Sequence, residues 1–246
     1  WSGNGANPVV FFTGGDNDPN KFYFGGKGGS GSVSHGNMDA GSFVFELDGV
    51  RWSIDLGKDR FYGVIERTGF KLWGRCQDCE RWTLLNKNNF GHSTLSVNNQ
   101  LHVVDGKATI FDFKEGAKPE ATIDLSPTFE GQLKSAKRRF VKSSPRSLLI
   151  EDDIVLSEDT ELITWQLITQ ADVEIVDGGA ILTQDGKSLN IENLSHPEYS
   201  ISVISLNPPP FYLDTKKDNL KRLEIRIPAW KVESMATKIR VRLSGE

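Results

Sequence analysis

The residues best suited to chemistry lie at two places in the first hundred positions. The first is a short polar segment that carries His35, Asn37 and Asp39. An alternating segment follows it and leads to a second carboxylate, Asp55, and a second histidine, His92, stands at the head of a later predicted strand. Imidazole and carboxylate groups bind metal ions and transfer protons. The pattern therefore predicts a metal or catalytic site on a β-scaffold.

The elements that must position these residues are predicted to be strands. Short runs rich in β-branched and aromatic residues recur along the whole chain, bounded by Gly, Asn, Asp and Pro. Asp48-Gly49 and Asp185-Gly186 suit tight hairpin turns because Gly tolerates positive φ, and Asn98-Asn99 does the same with Asn. We predict strands at Val9–Thr13, Lys21–Phe24, Ser42–Leu47, Val50–Asp55, Ser93–Val97, Gln100–Val104, Ala108–Phe113, Ala121–Leu125, Arg138–Lys142, Ser147–Leu156, Glu161–Thr169, Val173–Val176, Ala180–Thr183, Ser188–Ile191, Tyr199–Leu206, Leu223–Pro228 and Lys238–Leu243.

Helical periodicity is almost absent, and a short helix is predicted only within Thr128–Ala136. So many strands without alternating helices predict an all-β fold, a large antiparallel β-sandwich with very little helix, formed by residues 1–246 as one domain. The glycine-rich segment Gly25–Gly36 lacks the Gly-Lys-Ser/Thr ending of a phosphate loop, and no predicted helix follows it. We interpret it as a flexible approach to His35.

Net charge and the distribution of apolar residues limit the classes of binding partner that the chain is expected to have. The net charge of −4 and the pI of about 5.7 argue against nucleic acid as the main partner. They leave room for an anionic substrate, because a local group of Arg and Lys overrides a small global charge. No run of about 18 apolar residues predicts a membrane span. The chain starts with Trp1 and shows no signal peptide, which we interpret as a processed or excised segment.

Cys76 and Cys79 are the only cysteines, spaced as Cys-Gln-Asp-Cys. No βαβ pattern surrounds them, as a thioredoxin-like motif would require, and no second ligand pair completes a zinc knuckle. Two interpretations remain, a local disulfide or two free thiols in a loop. Export of the protein would favour the disulfide.

Two blocks resemble a known family. The segment Ser34–Gly57 looks like the corresponding part of the heparinase II/III family of polysaccharide lyases, and His92–Asn98 resembles that family's His-Asn-Ser/Thr-Leu strand. Arg81-Trp82 and the strand around Trp165 fit less specifically. The order and spacing of the two blocks carry the resemblance, and the remainder matches only as a succession of strands.

The resemblance implies an architecture and a reaction. Family members pair an N-terminal helical toroid with a C-terminal antiparallel β-sandwich, and this chain resembles only the sandwich. The implied reaction is β-elimination on an anionic, uronate-containing polysaccharide, with the toroid of the same protein as the domain partner. The family's principal Tyr comes from the toroid, so no catalytic Tyr is assigned here. By the same analogy the protein is expected in the periplasm of a bacterium or secreted from it.

The resemblance also implies roles for the two polar blocks. His35 matches a family His that acts in acid–base chemistry or holds the uronate. Asn37, Asp55 and His92 match the three ligands of a divalent metal, usually zinc, but Asn37 stands where many relatives have His. An amide oxygen binds zinc weakly and suits Ca or Mn better. Three alternatives therefore stay open: a weaker Zn site, a harder ion, or no metal with Asn37 hydrogen-bonded to Asp55.

Arg81 and Trp82 are predicted to bind substrate, Arg81 on a carboxylate and Trp82 on a pyranose face, or else to be an edge-strand Arg and a core Trp. A non-catalytic carbohydrate-binding sandwich is the main alternative function. It predicts exposed aromatic residues on one sheet face and indifference to the loss of His35. A self-contained metal enzyme on a jelly-roll scaffold would need a further ligand near His35, and neither His102 nor His196 is placed there by the sequence.

Overall fold

The structure is a computed structural model that describes residues 1–15, 17–57 and 62–245. Within these ranges the chain forms strands, one short α-helix and a few 3₁₀ turns. The α-helix, α1, is Tyr62–Arg67. The strands are β1 Ser2–Gly3, β2 Val9–Thr13, β3 Tyr23–Lys27, β4 Phe43–Leu47, β5 Val50–Ser53, β6 Leu95–Val97, β7 Thr109–Lys114, β8 Glu120–Asp124, β9 Leu133–Ser144, β10 Ser147–Leu156, β11 Leu162–Thr169, β12 Asp172–Val176, β13 Gly179–Gln184, β14 Lys187–Asn193, β15 Ser202–Ser205, β16 Lys221–Pro228 and β17 Ala236–Gly245.

The strands form three antiparallel sheets. One sheet has the order β1-β2-β3-β4-β5, the largest has the order β12-β13-β14-β17-β10-β9-β8-β7, and the third has the order β15-β16-β11-β6. Consecutive strands pair through tight turns in much of the fold, as at Asp48-Gly49 and Asp185-Gly186, where both residues have positive φ. The prediction of an all-β antiparallel sandwich is confirmed.

The core lies between the sheets and consists mainly of aliphatic residues, with a group of Phe and Trp side chains among them. Buried and more exposed positions alternate along strands such as β4 and β17, as expected where one face of a sheet packs and the other does not. Phe24 of β3 contacts Phe140 of β9, with ring centroids 4.6 Å apart, and Phe43 meets the same ring at 5.7 Å. These contacts pack the five-stranded sheet against the largest one, and the loops that carry the polar residues extend from these two sheets.

Two predicted elements are wrong. The segment Gln100–Val104 is not a strand, because its backbone donors are taken by loops: Val103 donates to the carbonyl of Thr128 and Val104 to the side chain of Gln77. The predicted helix Thr128–Ala136 is instead the end of a 3₁₀ turn followed by the start of β9.

The start of β9 is a strand because Leu133, Ser135 and Ala136 pair with Leu156, Val155 and Ile154 of β10. Farther along β9, one of the inward positions is the fully buried Arg138, whose burial the sequence does not indicate. Arg138 donates to both carboxylate oxygens of Asp152 on β10, at 2.6 and 2.8 Å. It also donates to the carbonyls of Gly41 and Ser93, at 2.9 and 3.4 Å. The buried ion pair between Arg138 and Asp152 therefore connects the largest sheet to the two segments that carry the polar blocks.

Helix α1 was not predicted from the sequence, because six residues are too few to show helical periodicity. Its Ile65 is buried in a small cluster with Phe70, Leu72 and Leu84, which attaches the helix to the loops rather than to a sheet. Among the residues that the structure describes, no helix has the length and apolar character needed to cross a membrane.

Candidate functional site

The glycine-rich segment leading to His35 is anchored along its length, which corrects its interpretation as a flexible approach. Gly28 donates to the carbonyl of Pro8, Gly29 forms an antiparallel bridge with Ala108, and Ser32 donates to the carbonyl of Val104. At Gly36 a Cβ atom would lie 2.6 Å from the carbonyl oxygen of Ser30. Glycine is needed there because the loop folds back on its own backbone.

His35 lies exposed at the tip of this loop, with a left-handed φ of 58°. Its imidazole meets the ring of Trp73 edge-on, with centroids 5.4 Å apart. The Trp73 side chain is 44% exposed and also meets the ring of Tyr62 edge-on at 5.9 Å. An exposed imidazole beside an exposed indole offers a proton-transfer group next to a flat apolar surface of the kind on which a sugar ring stacks.

Arg81 and Trp82 lie beneath this surface. They are only 1% and 3% exposed, and Trp82 packs in a core cluster with Met38 and Val104. Side chains buried within their own domain do not offer the surfaces that direct contact with a sugar requires, so the positions favour the core interpretation of Trp82. Arg81 is also buried, and it contacts the backbone of the loops that carry His35 and Trp73.

The Arg81 guanidinium joins two loops. It donates to the carbonyl of Gly36 at 2.6 Å and to the carbonyl of Gly74 at 3.3 Å, and thereby links the loop of His35 to the loop of Trp73. Cys76 and Cys79 form a disulfide in the second of these loops. The carbonyl of Cys76 accepts a hydrogen bond from the Trp82 indole, so the disulfide lies in the same clamped segment.

Asp55 and His92 come together as the resemblance implies. His92 Nδ1 lies 3.0 Å from Asp55 Oδ2, and the amide of Gly57 donates to Asp55 Oδ1 at 2.7 Å. The imidazole is 1% exposed while the carboxylate is 41% exposed, so the pair reaches from the interior to the surface. Just before His92, a Cβ atom on Gly91 would lie 1.9 Å from the carbonyl oxygen of Leu85, which makes glycine necessary for this approach.

The pair stabilises its own charges. Burial acts to raise the pKa of Asp55, but the charge of His92 and hydrogen bonds from His92 and Gly57 outweigh it, so this pKa lies well below its usual value. Burial acts to lower the pKa of His92, but the charge and hydrogen bond of Asp55 outweigh it, so this pKa lies above its usual value. His92 Nε2 is buried and has no partner among the described residues.

Asn37 contacts a lysine rather than the pair. The ammonium of Lys87 donates to Asn37 Oδ1 at 3.2 Å and lies 4.7 Å from the centre of the Tyr62 ring. Lys87 is 4% exposed, and no ion pair of the described residues involves it. Because an ammonium only donates, the contact fixes the amide with its oxygen toward Lys87 and its nitrogen directed away. We call Asn37, Tyr62 and Lys87 the lysine corner.

The contact between Lys87 and Asn37 disfavours Asn37 as the third ligand of a metal ion. Among the described residues, no three His, Cys, Asp or Glu side chains are arranged to hold a metal ion. The amide oxygen that would complete the set already accepts from a cation. At an effective dielectric constant of about 20, two unit charges about 4 Å apart interact by about 4 kcal/mol, and a divalent ion doubles this repulsion. The contact with Lys87 disfavours a metal ion on Asn37, whereas the unpartnered Nε2 of His92 leaves that side chain free to bind one, so the metal site at Asn37, Asp55 and His92 stays a prediction.

A comparison with protein-family models matches residues 22–235 to the family described as Heparinase II/III-like, C-terminal. This match covers most of the chain, including both polar blocks. The chain belongs to this family. The comparison with curated proteins finds no match.

Solved structures share the fold of this heparinase II/III-like domain. The heparan sulfate lyase HepC from Pedobacter heparinus superposes with a TM-score of 0.68 and 17% identity, over 99% of this chain and 36% of that one. A structure of Heparinase III gives a TM-score of 0.65 and 13% identity, over 98% of this chain and 35% of that one. The chain spans about a third of the length of these structures, and the likeness at such identity shows the fold.

Three residues of the site were missed in the sequence. Tyr62 and Trp73 sit in segments without a strand pattern, and Lys87 looked like part of an ordinary polar loop. One signal was present for Lys87: it belongs to the run Asn86-Lys87-Asn88-Asn89, which ends three positions before His92. The run is polar, but Lys87 is buried, and that became visible only in the folded chain.

Proposed function

We propose that this chain is the β-sandwich domain of a polysaccharide lyase that cleaves uronate-containing glycans by β-elimination. Its membership of the heparinase II/III-like family supports the class of enzyme. The observation that carries the assignment to this site is the exposed imidazole of His35 beside the exposed indole of Trp73. The helical toroid expected from the family resemblance would be its partner and would complete the cleft.

The reaction sets three requirements. The uronate carboxylate must be neutralised before the C5 proton becomes acidic enough to leave, a base must take that proton, and the O4 leaving group must be protonated or expelled. In our proposal His35 transfers a proton at the reacting sugar, and Trp73 supports the pyranose ring. Arg81 positions both, because it holds the carbonyls of Gly36 and Gly74. No step depends on a metal ion.

The test uses the full-length protein that contains this chain. Replacement of His35 by Ala should lower kcat by about 10²- to 10⁴-fold with little change in KM, because the variant loses proton transfer rather than binding. The measurement is the ultraviolet absorbance of the unsaturated product released from uronate glycans. His196→Ala is the matched control, since His196 lies in a distant loop next to Thr237 and should leave kcat unchanged.

Equal rates for His35→Ala and the parent protein would exclude the catalytic role of His35. Replacement of Trp73 by Ala separates support of the sugar from chemistry. It should raise KM more than it lowers kcat, because stacking acts on the bound substrate before and during the reaction.

A second function is favoured by one observation, a strip of aromatic residues on the outer face of the five-stranded sheet. Trp1 stacks on Phe11 with centroids 5.6 Å apart, and Phe11 meets Tyr23 at 6.1 Å. Such a strip is what a non-catalytic carbohydrate-binding sandwich would use. In that case Trp1→Ala with Phe11→Ala would abolish glycan binding, while His35→Ala would bind as well as the parent protein.

We also propose that the protein is exported, to the bacterial periplasm or beyond. The disulfide between Cys76 and Cys79 supports an oxidising location, because cytosolic thiols are kept reduced. Mass measurement after alkylation of protein isolated from its native compartment tests this. Protection of both thiols supports export, and alkylation of both without reductant contradicts it.

A further inference from the structure

The lysine corner carries a positive charge that no carboxylate of the described residues balances. Lys87 is almost fully buried, and within the described ranges its ammonium contacts the Asn37 amide oxygen and the face of the Tyr62 ring and no carboxylate. Buried charges in proteins are normally paired, because an isolated charge is poorly solvated there. Among the described residues no carboxylate pairs with Lys87, and the neighbouring Arg81 donates only to backbone carbonyls. Two neighbouring buried cations, Arg81 and Lys87, thus have no carboxylate partner among the residues that the structure describes.

The orientation of the Asn37 amide determines which group a ligand would meet at this corner. Its oxygen is held by Lys87, and its nitrogen has no hydrogen-bond partner among the described residues. Asn37 is half-buried, so the corner is not sealed from solvent. A ligand meeting this amide encounters N–H donors, and the positive charge of Lys87 stands directly behind them. Such an arrangement attracts an anion and repels a metal ion.

The position of the corner indicates which anion. Tyr62, whose ring covers the Lys87 ammonium, also contacts Trp73, and Trp73 contacts His35. The corner therefore lies beside the surface assigned above to the reacting sugar. A uronate bound there carries one carboxylate, and neutralising that carboxylate is the first requirement of the elimination.

We propose that Asn37 and Lys87 form a carboxylate-binding subsite, in which Asn37 donates to a uronate carboxylate through its amide nitrogen and Lys87 supplies the positive charge in place of a metal ion. The identity of the ligand rests on the proposed function. In this subsite Asn37 touches the substrate, while Lys87 is a positioning residue that orients the amide and sets the local potential.

The decisive variant is Asn37→Asp, because the two interpretations predict opposite results. The change keeps the shape of the side chain but places a carboxylate beside Lys87. If the corner binds a uronate, the new charge neutralises Lys87 and repels the ligand, so affinity for D-glucuronate falls by at least about tenfold. If the corner completes a metal site, a carboxylate is a better ligand than an amide, and the variant retains more metal and keeps its activity.

Lys87→Met removes the charge and Lys142→Met is its matched control. Lys142 is also buried, lies 4.5 Å from the centre of the Phe22 ring and donates to the carbonyl of Thr13 at 3.2 Å, but it is remote from the lysine corner. We expect Lys87→Met to weaken D-glucuronate binding by at least about tenfold and Lys142→Met to change it less than about twofold. Lys87→Arg should recover part of the loss, because the charge returns.

The experiment measures D-glucuronate and D-glucose binding by calorimetry, metal content by elemental analysis, and glycan cleavage, all on the full-length protein. Binding of glucuronate but not glucose, lost in Asn37→Asp and Lys87→Met, supports the subsite. Stoichiometric metal with a fully active Asn37→Asp variant overturns it. Inorganic sulfate that binds as tightly as glucuronate would also overturn the assignment to a carboxylate.

The two proposals fail differently. If the parent protein cleaves uronate glycans and both corner variants cleave them equally well, the subsite is wrong and the proposed function stands. If the parent binds glucuronate through Asn37 and Lys87 but releases no unsaturated product, the lyase function is wrong and the subsite stands. Asn37→Asp decides the outcome if Lys87→Met does not fold, because it leaves the volume of the corner unchanged.

Discussion

Two regions of this domain bury an arginine, and they treat its charge in opposite ways. In the largest sheet, Arg138 forms a bidentate ion pair with Asp152 and also donates to two backbone carbonyls. In the loops below His35, Arg81 is equally buried but donates only to the carbonyls of Gly36 and Gly74. Lys87 extends this second region with another cation that lacks a carboxylate among the described residues.

The difference separates a structural charge from an available one. In the sheet, the carboxylate of Asp152 neutralises the charge of Arg138 through two hydrogen bonds, so this arginine does not attract an anionic ligand. Neutral carbonyl and amide acceptors solvate a cation without cancelling its charge. Arg81 and Lys87 of the loop region therefore keep charges that no carboxylate of the described residues cancels.

The largest effect is expected in the sheet. Arg138→Met should lower the free energy of unfolding by about 3–5 kcal/mol, because it leaves the buried carboxylate of Asp152 unpaired. Chemical denaturation measures this change. The double variant Arg138→Met with Asp152→Leu should recover most of the loss, since replacing a whole buried pair by apolar side chains is often neutral. A loss below about 1 kcal/mol in the single variant would show that the pair is not structural.

A smaller effect is expected at the rim, where Asp55 and His92 meet. Because the pKa of His92 is raised, its contribution to stability is complete below about pH 6.5, its unfolded-state pKa, and is lost as pH rises through the folded-state value. Because the pKa of Asp55 is lowered, its contribution is complete above about pH 4 and is lost as pH falls through its folded-state value. Both contributions are complete only between these limits.

Asp55→Asn tests this pH window. Without the carboxylate, burial dominates and the pKa of His92 should fall, which an NMR titration of the imidazole measures. The accompanying loss of stability near pH 5 should stay below about 1 kcal/mol, because Asp55 is 41% exposed and solvent screens the pair. His196 is the reference in the same titration. An unchanged pKa of His92 would mean that Asp55 does not control its charge.

The smallest change in stability is expected at the lysine corner. Lys87→Met should alter the free energy of unfolding by less than about 0.5 kcal/mol. The lost hydrogen bond and ring contact are offset by removal of a buried charge that has no carboxylate partner in the described part of the chain. Thermal and chemical denaturation both measure it. A loss comparable to that of Arg138→Met would make Lys87 a structural residue and remove the contrast between the two regions.

Local patterns in the sequence were sufficient for most of the fold. Alternation along the strands and the Asp-Gly turns are short-range signals, and the structure has both where they were expected. The errors lie where long-range contacts override local preference. Residues 133–136 form a strand rather than a helix because their partners lie on β10. Gln100–Val104 is not a strand because distant loops take its donors.

The sequence by itself determined the all-β class, the order of most strands and the two polar blocks that identify the family. It did not determine which side chains meet. Asp55 and His92 are 37 positions apart, and Asn37 and Lys87 are 50 apart, so their contacts depend on how separate loops pack on the sheets. Burial is decided in the same way: Arg81 and Lys87 look like surface residues in the sequence, and only the packing of the loops encloses them, with neutral acceptors as their hydrogen-bond partners among the described residues.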